Sequence, residues 1–490
     1  VTDWIPGWYR PIAKDYALNS AWYSGDPETL ANLYSATFSL PPNVTGDFLK
    51  STIRQARQNY FWAQQSSDER RTCVHVPCAG DIASTSANLL FGEQPAIKCE
   101  NESAGKRLQE IIDESGFEAL LLEAAEIAAA MGDVYLKINW DKTRKKYPIL
   151  SVAQPDNVLP TFWNGILTEA SFIRVLEIGE KGEVWRLVET HKPGQILTSL
   201  YLGDGEKLGL PVDMSLRPET RDIAPVVATQ LPGLACAHVP NIKPNRKHRG
   251  IDLGRSDFAG LYSLMDSLDE SISNLMNDIE LGRGHALIPE AFLDTDSDGN
   301  QTWDAMRTAF VKLAIPVSDA AGVDQIMVVQ HAIRMAEHLG SAEWFLRRIF
   351  AGAGYSPQTF GLDIDGQAES GTALKIREGK SAATVAKKAL YWKPALRNIL
   401  GAMLTIDRVQ LGNSTPDSAV SVEIQDGSGS SLQETANSVK LLADARAASV
   451  KTIVSMVHPD WDEAQVDAEV ALILDEDGRG VPDVMQAGVA

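Results

Sequence analysis

The chain has 490 residues, too many for one hydrophobic core, and at roughly 150 residues per domain the length predicts about three folding units. Hydrophobic residues make up 44% and charged residues 22%, which excludes a disordered or fibrous chain. The formal net charge of -20 excludes a protein that grips nucleic acid through its overall charge, because such proteins are usually basic. The first sixteen residues, VTDWIPGWYRPIAKDY, lack a basic start followed by an apolar run, so no secretion signal is read and a cytoplasmic chain is expected. Residues 1–70 carry Trp4, Trp8, Tyr9, Trp22, Tyr23, Tyr34, Tyr60, Phe61 and Trp62, with a helix predicted from Asp47 to Gln65. Large aromatics anchor a segment on its own core; a subunit contact is the second reading.

Cys73, His75 and Cys78 invite comparison with a metal site, but the alternation of Val74 and Val76 reads as a strand and no second ligand pair follows. With Cys99 and Cys236 they are too few and scattered to staple a chain this long, and reduced thiols are expected. From Ser103 to Met131 the apolar spacing fits helices interrupted at Ser115 and Gly116. Its most apolar part, Ala119 to Met131, is broken by Glu123 and Glu126 and falls short of the ~20 apolar residues a bilayer requires. The period then changes to two: DVYLKINWD at 133–141, Ile166 to Ile178, Glu183 to His191 and Gln195 to Leu202 read as strands of an antiparallel region ending near Pro240.

The stretch 241–250, NIKPNRKHRG, clusters Lys243, Arg246, Lys247 and Arg249 beside a proline and a glycine and looks like a linker. A solvated loop and a contact to phosphate or to an acidic neighbouring subunit are equally compatible with it. Gly254 to Gly282 reads as one long helix of ~40 Å, with Phe258, Leu261, Met265, Leu268, Ile272, Leu275 and Ile279 on an apolar stripe. Asp266, Asp269, Glu270, Asp278 and Glu280 lie mainly off that stripe, as on any amphipathic helix or on one lining a water-filled hole. Residues 284–330 return to short strands and turns with a helical stretch from Thr302 to Leu313, and a second helix runs from Arg334 to Ala353. A glycine-rich acidic loop follows at 358–370, then a long helix from Thr372 to about Gln410 that Pro394 is expected to kink or break. Val420 to Ile424 reads as a strand, and Leu432 to Ala447, Val450 to Val457 and Trp461 to Leu474 as helices.

Charge is uneven along the chain. From Gly371 to Leu411 eight bases face only Glu378 and Asp407, a net of +6, whereas from Gly412 to Ala490 fourteen acids face four bases, a net of -10. Catalytic motifs fail on spacing. Asp294, Asp296, Asp298 and Gly299 open like a calcium loop, but Ala305 stands where the bidentate glutamate belongs. Gly379, Lys380 and Ser381 imitate the end of a phosphate-binding loop whose first glycine is replaced by Leu374. Neither a GxSxG elbow, an HExxH pair nor a defensible two-metal carboxylate cluster is present, and the histidines at 75, 191, 238, 248, 285, 331, 338 and 458 are dispersed. No catalytic residue, metal or cofactor is assigned.

This order of elements resembles the portal proteins of tailed bacteriophages, head-tail connectors at the capsid vertex. The words that carry the resemblance are DVYLKINWD (133–141), GRSDFAGLYSLMDSLDE (254–270), Phe360, Gly361, Leu362 and Asp363 running into ESGTALKIREGKSA (369–382), and VEIQDG (422–427), covering nearly the whole chain in register. The resemblance implies an α+β, predominantly helical portal fold: residues 1–253 with 371–427 as wing, 254–284 and 331–355 as stem helices, 285–330 as clip, 356–370 as tunnel loop and 428–490 as crown. It implies a homo-oligomeric ring, usually of twelve subunits, through which double-stranded DNA is packaged and ejected. Its other partners are the large subunit of terminase, a head-completion or adaptor protein, and the major capsid and scaffolding proteins, with no membrane; the finished ring belongs to the virion and assembles in a bacterial cytoplasm.

Within the tunnel loop, Phe360, Asp363, Asp365, Gln367 and Glu369 are expected to line the channel, with Gly361, Gly366 and Gly371 as hinges. Lys375, Arg377, Lys380, Lys387 and Lys388 are expected to contact neighbouring subunits or DNA, and the acids of the 254–283 helix to face the hole. The rival readings are a non-channel structural protein of a phage head or tail and, less favoured, a DNA-processing enzyme.

Overall fold

A computed structural model describes residues 5–37, 60–64, 73–205, 207–282, 285–287, 294–295, 301–302, 327–329, 333–362, 371–424, 432–458, 461 and 463–479. The chain divides into two compact units, Val1–Ile424 and Gln425–Ala490, rather than about three. One continuous apolar core, running from Tyr9 to Ile424, accounts for the difference, because late elements return to pack on early ones.

The first unit opens with helices α1 (Arg10–Ser24), α2 (Pro27–Thr37), α3 (Phe61–Gln64) and α4 (Cys78–Phe91). The predicted 47–65 helix lies outside the described residues except for α3. Tyr9, Trp22, Tyr34, Phe61 and Trp62 are buried, so these aromatics do serve as core anchors; Trp8 is the exposed exception. Strand β1 (Ala96–Cys99) leads into α5 (Glu102–Ser115) and α6 (Phe117–Met131). Asn101 caps α5 by accepting hydrogen bonds from the Ser103 and Ala104 N–H groups, and Gly116 ends it in the left-handed region, where the interruption was read.

Strands β2 (Asp133–Asn139) and β3 (Ile149–Ala153) join β10 (Cys236–Pro240) in a three-stranded sheet of order β10-β2-β3. Between them, β4 (Val158–Trp163), β5 (Ile166–Ile178), β6 (Val184–Lys192), β7 (Gln195–Gly203) and β8 (Leu210–Val212) pair in that order, with β9 (Val226–Ala228) added to β7. All pairings are antiparallel, as the period-two alternation predicts. The 241–250 stretch is not a domain linker: Asn241 and Ile242 are buried, while the Lys247 ammonium and His248 ring both meet the Asp15 carboxylate, at 2.6 and 2.8 Å.

Helix α7 (Tyr262–Leu281) starts later than the sequence pattern suggests. Residues 254–261 instead cross the end of α6, where the Asp257 N–H donates to the Ala129 carbonyl at 2.9 Å. The crossing is so close that a Cβ on Gly132 would lie 2.8 Å from the Ser256 nitrogen, and one on Gly254 would lie 2.2 Å from the Gly132 oxygen. A helix continued backwards from Tyr262 could not reach those bonds, so tertiary pairing overrides the apolar spacing.

Short pairs β11 (His285–Leu287) with β14 (Met327–Val329) and β12 (Asp294–Thr295) with β13 (Gln301–Thr302) follow; the predicted Thr302–Leu313 helix and the rest of the calcium-like loop lie outside the described residues. Helix α8 (Met335–Ala353) packs antiparallel to α7, and α9 (Gly371–Leu411) runs unbroken through Pro394. Proline removes one donor and leaves the carbonyl of Leu390 without its helical partner; Leu390 is 70% exposed, on a side of the helix that water can reach. Strand β15 (Val420–Glu423) pairs with β1 and closes the unit.

The second unit holds helices α10 (Leu432–Asp444), α11 (Val450–Val457) and α12 (Glu463–Arg479). Its small interior includes Val454 and Val466, and Lys451 bridges Glu463 and Asp467 at 3.0 and 2.7 Å. Among the described residues no helix is long and apolar enough to cross a membrane.

Candidate functional site

Two stretches of sequence connect the helices of the framework, residues 283–332 between α7 and α8 and residues 363–370 on the way from α8 to α9. Each has a fixed base. At the first, Arg334 donates two hydrogen bonds to the Asp278 carboxylate, at 2.9 and 3.1 Å, and the His338 ring approaches the same group at 3.1 Å. The Arg334 hydrogen bonds hold the Asp278 carboxyl down at about 2. A carboxylate near the end of α7 thus grips the first turn of α8 and sets where the excursion begins and ends.

At the second base, α8 ends on Gly354, and Pro357 to Phe360 form a short 3-10 turn that ends at Gly361 in the left-handed region, φ 74. The Ser356 N–H donates to the Ser381 hydroxyl at 2.9 Å, and Thr359 shares a 2.9 Å bond with the same hydroxyl. Thr384 donates to the Gly354 carbonyl at 2.6 Å and the Lys380 ammonium to the Ala351 carbonyl. Four contacts from one face of α9 therefore staple the near end of the loop to the helix into which its far end runs.

Beneath this base lies a buried ion pair. Lys388 on α9 points into the core, 1% exposed, and its ammonium meets the Asp257 carboxylate at 2.6 Å and the Ser86 hydroxyl at 2.5 Å. Asp257 also accepts from the Tyr355 hydroxyl and the Asn241 amide, both at 2.8 Å. Burial depresses the Lys388 pKa, and the Asp257 charge opposes that shift. The cluster joins α4, the approach to α7, the end of α8 and the middle of α9 at one point.

Several expectations about single residues change. Phe360 is partly buried and stacks on Phe350 with centroids 3.8 Å apart and planes at 2°, anchoring the loop base. Lys388 contacts neither a neighbour nor DNA, because its charge is spent inside the chain. Lys380 is exposed but donates within the chain, whereas Lys387 is exposed with no partner among the described residues. Asp363, Asp365, Gly366, Gln367 and Glu369 lie outside the described residues; Gly371, Lys375 and Arg377 belong to α9, with side chains outside them.

The acids of α7 divide. Asp266 and Asp269 are buried, at 3% and 0% exposure, and do not face an opening. Asp266 accepts from the Phe61 and Trp62 N–H groups at 2.7 and 3.2 Å. Asp269 accepts from the Val76 N–H and the Trp62 indole, both at 2.8 Å, and meets the His75 ring at 2.7 Å. His75 is therefore engaged by a carboxylate, Cys78 sits at the start of α4 rather than in a strand, and the four cysteines are free thiols. Among the described residues no three His, Cys, Asp or Glu side chains are grouped as metal ligands. Glu270 and Glu280 remain exposed. Sequence periodicity missed Asp266 and Asp269 because a carboxylate accepting backbone N–H groups occupies the same helical positions as one facing water; their only signal is their placing directly after the core positions Met265 and Leu268.

Burial pushes the Asp266 carboxyl up to about 6 despite the two N–H donors. A folded-state pKa above the ordinary 3.8 gives stability that is full below about 3.8 and is lost as pH rises through about 6. Asp266→Asn is expected to remove this contribution, so the difference in urea midpoint between variant and wild type should change between pH 4 and 7; a constant difference across that window would sink the assignment.

The chain matches the family described as "Phage portal protein, SPP1 Gp6-like" over residues 13–483. Among solved structures it is similar to a chain of "Neck of native GTA particle computed with C12 symmetry", at 12% identity and TM-score 0.40, covering 78% of this chain and 90% of that one. A second likeness, to "Neck of empty GTA particle computed with C6 symmetry", has 13% identity, TM-score 0.40 and coverage of 76% and 87%. No curated protein matches the chain.

Proposed function

Because the chain belongs to the SPP1 Gp6-like family of phage portal proteins, structural proteins rather than enzymes, we propose that its copies close into a ring around an opening through which double-stranded DNA is packaged and ejected. The observation that carries this reading is the family match across residues 13–483, which takes in both units. Residues 1–253 with 371–427 form the wing, α7 and α8 the stem, 285–330 the clip that docks the terminase motor and then the head-completion protein, and 428–490 the crown.

A conduit must hold its cargo loosely. Neutralising six to ten phosphates shifts affinity by roughly 10³–10⁵ over a modest salt range, so a cationic collar would trap the duplex. The loop acids Asp363, Asp365 and Glu369, with Glu270 and Glu280 of α7, line the opening in this reading and repel the backbone evenly. The clamp at Ser356, Thr359 and Ser381 holds the root of the loop on α9.

Negative-stain microscopy of the purified chain, with native mass spectrometry for stoichiometry, tests the proposal. Rings with an axial hole are expected, twelve-fold by family habit. A solid assembly, or a chain that stays monomeric at every concentration, would favour the rival of a non-channel structural protein.

A further inference from the structure

An open groove of about 820 Å³ lies between α9 and the three-stranded and six-stranded sheets, lined among others by Phe162, Ile166, Leu231, Leu390, Pro394 and Arg397. Leu390 is 70% and Ile166 60% exposed, so its floor is apolar surface open to water. Lys243 and Arg397 line it; Lys243 is met by Asp252 at 3.6 Å, so among the described residues the unpaired charge on the rim is that of Arg397. Lys387 and Arg397 on the same helix are exposed and have no partner among the described residues. An apolar floor with a cationic rim fits an occupant that presents an apolar side chain between acids.

The far end of β5 presents that combination. A bulge at Val175 and Glu177 interrupts its register with β6, and Val175 and Ile178 are 50% and 70% exposed, although residues three apart in a regular strand face opposite sides. In the hairpin turn that follows, Glu180 and Glu183 are exposed without an ion pair to described residues; Lys181, also exposed, lies between them. Ile166, in the groove, and Ile178, in the hairpin, are opposite ends of one 13-residue strand. At about 3.3 Å per residue they are about 40 Å apart, so the hairpin cannot fill its own groove.

We propose that the β5–β6 hairpin of one copy seats Ile178 in the groove of the next copy, with Glu180 and Glu183 meeting Arg397 and Lys387. The inference rests on the ring reading and supplies a contact for it. Two different patches of one surface, joined head to tail, make a heterologous interface, which closes into a ring when the rotation per copy divides a full turn.

The test uses the full chain and two charge reversals, Lys387→Glu with Arg397→Glu, and Glu180→Lys with Glu183→Lys. Thermal melts of the monomer confirm that each variant folds, and native mass spectrometry at micromolar chain reads ring mass. Each reversal alone is expected to lower the ring population by about ten-fold or more, because like charges then face each other across the contact. The chain carrying all four substitutions restores opposite charges at every contact and is expected to recover rings. Rings that survive either single reversal overturn this contact and leave the ring reading standing. Loss without recovery in the fourfold variant overturns the pairing and assigns the groove another occupant. A wild-type chain that forms no ring overturns the ring reading and this contact together.

Discussion

Replacing Lys388 with methionine is expected to lower the stability of the unit spanning residues 1–424 by about 3–5 kcal/mol, because it leaves the Asp257 charge buried without its cation. The side chains of both partners are at most 1% exposed, so water cannot take over the 2.6 Å contact. Tyr355 and Asn241 would still donate to the carboxylate, which limits the loss but supplies no opposite charge. The urea midpoint of the first unit reads the effect. Adding Asp257→Asn to Lys388→Met removes the stranded charge; the amide oxygen still accepts from Asn241 and the amide NH2 donates to the Tyr355 hydroxyl, so the double variant should recover at least half of the loss. No recovery would mean that Lys388 acts through its alkyl packing rather than its charge. The consequence reaches the site, because Asp257 precedes α7, Tyr355 follows α8 and Lys388 sits one turn beyond Thr384, which holds the loop base. A weakened ion pair should therefore loosen the 363–370 base before it unfolds the sheet.

Much of the fold is legible in local pattern. The break between α5 and α6 at Ser115 and Gly116, the alternation of β2, β5 and β7, and the limits of α8 and α9 all follow from capping and periodicity, which depend on neighbours in the chain. What local pattern cannot supply is the partner. Residues 254–261 have helical spacing but bond to the end of α6, and Lys388 is buried although it belongs to a stretch of net +6 in which Lys380, Lys387 and Arg397 are exposed. Asp266 and Asp269 look like the wet side of an amphipathic helix until the N–H groups of Phe61, Trp62 and Val76 arrive from far away in sequence. The error has one physical cause: donors that arrive from far away in sequence offset part of the cost of burying a carboxylate, and composition does not show them. Nor does local pattern show that Phe360 stacks on Phe350 at the loop base.

Removing residues 363–370 and joining Leu362 to Gly371 through a short glycine-serine link is expected to leave the melting temperature and ring mass unchanged while DNA retention falls on the order of ten-fold. The expectation of an intact fold rests on the clamp, whose members Ser356, Thr359, Ser381 and Thr384 all lie outside the deletion, as does the Phe350–Phe360 stack. The expectation of lost retention rests on the proposed role of residues 363–370 as the tunnel loop, whose bulk narrows the opening in that reading and goes with the deletion. DNA protected from nuclease in a reconstituted packaging reaction, measured against wild-type heads, separates the two. Wild-type protection by rings lacking the segment would remove it from the channel, and loss of the rings themselves would move its role to assembly. A substitution of the three acids by serine, with the loop length kept, distinguishes charge from bulk: if repulsion is the mechanism, those rings package DNA but release it with a steeper dependence on salt than wild type, since duplex then lingers against the wall.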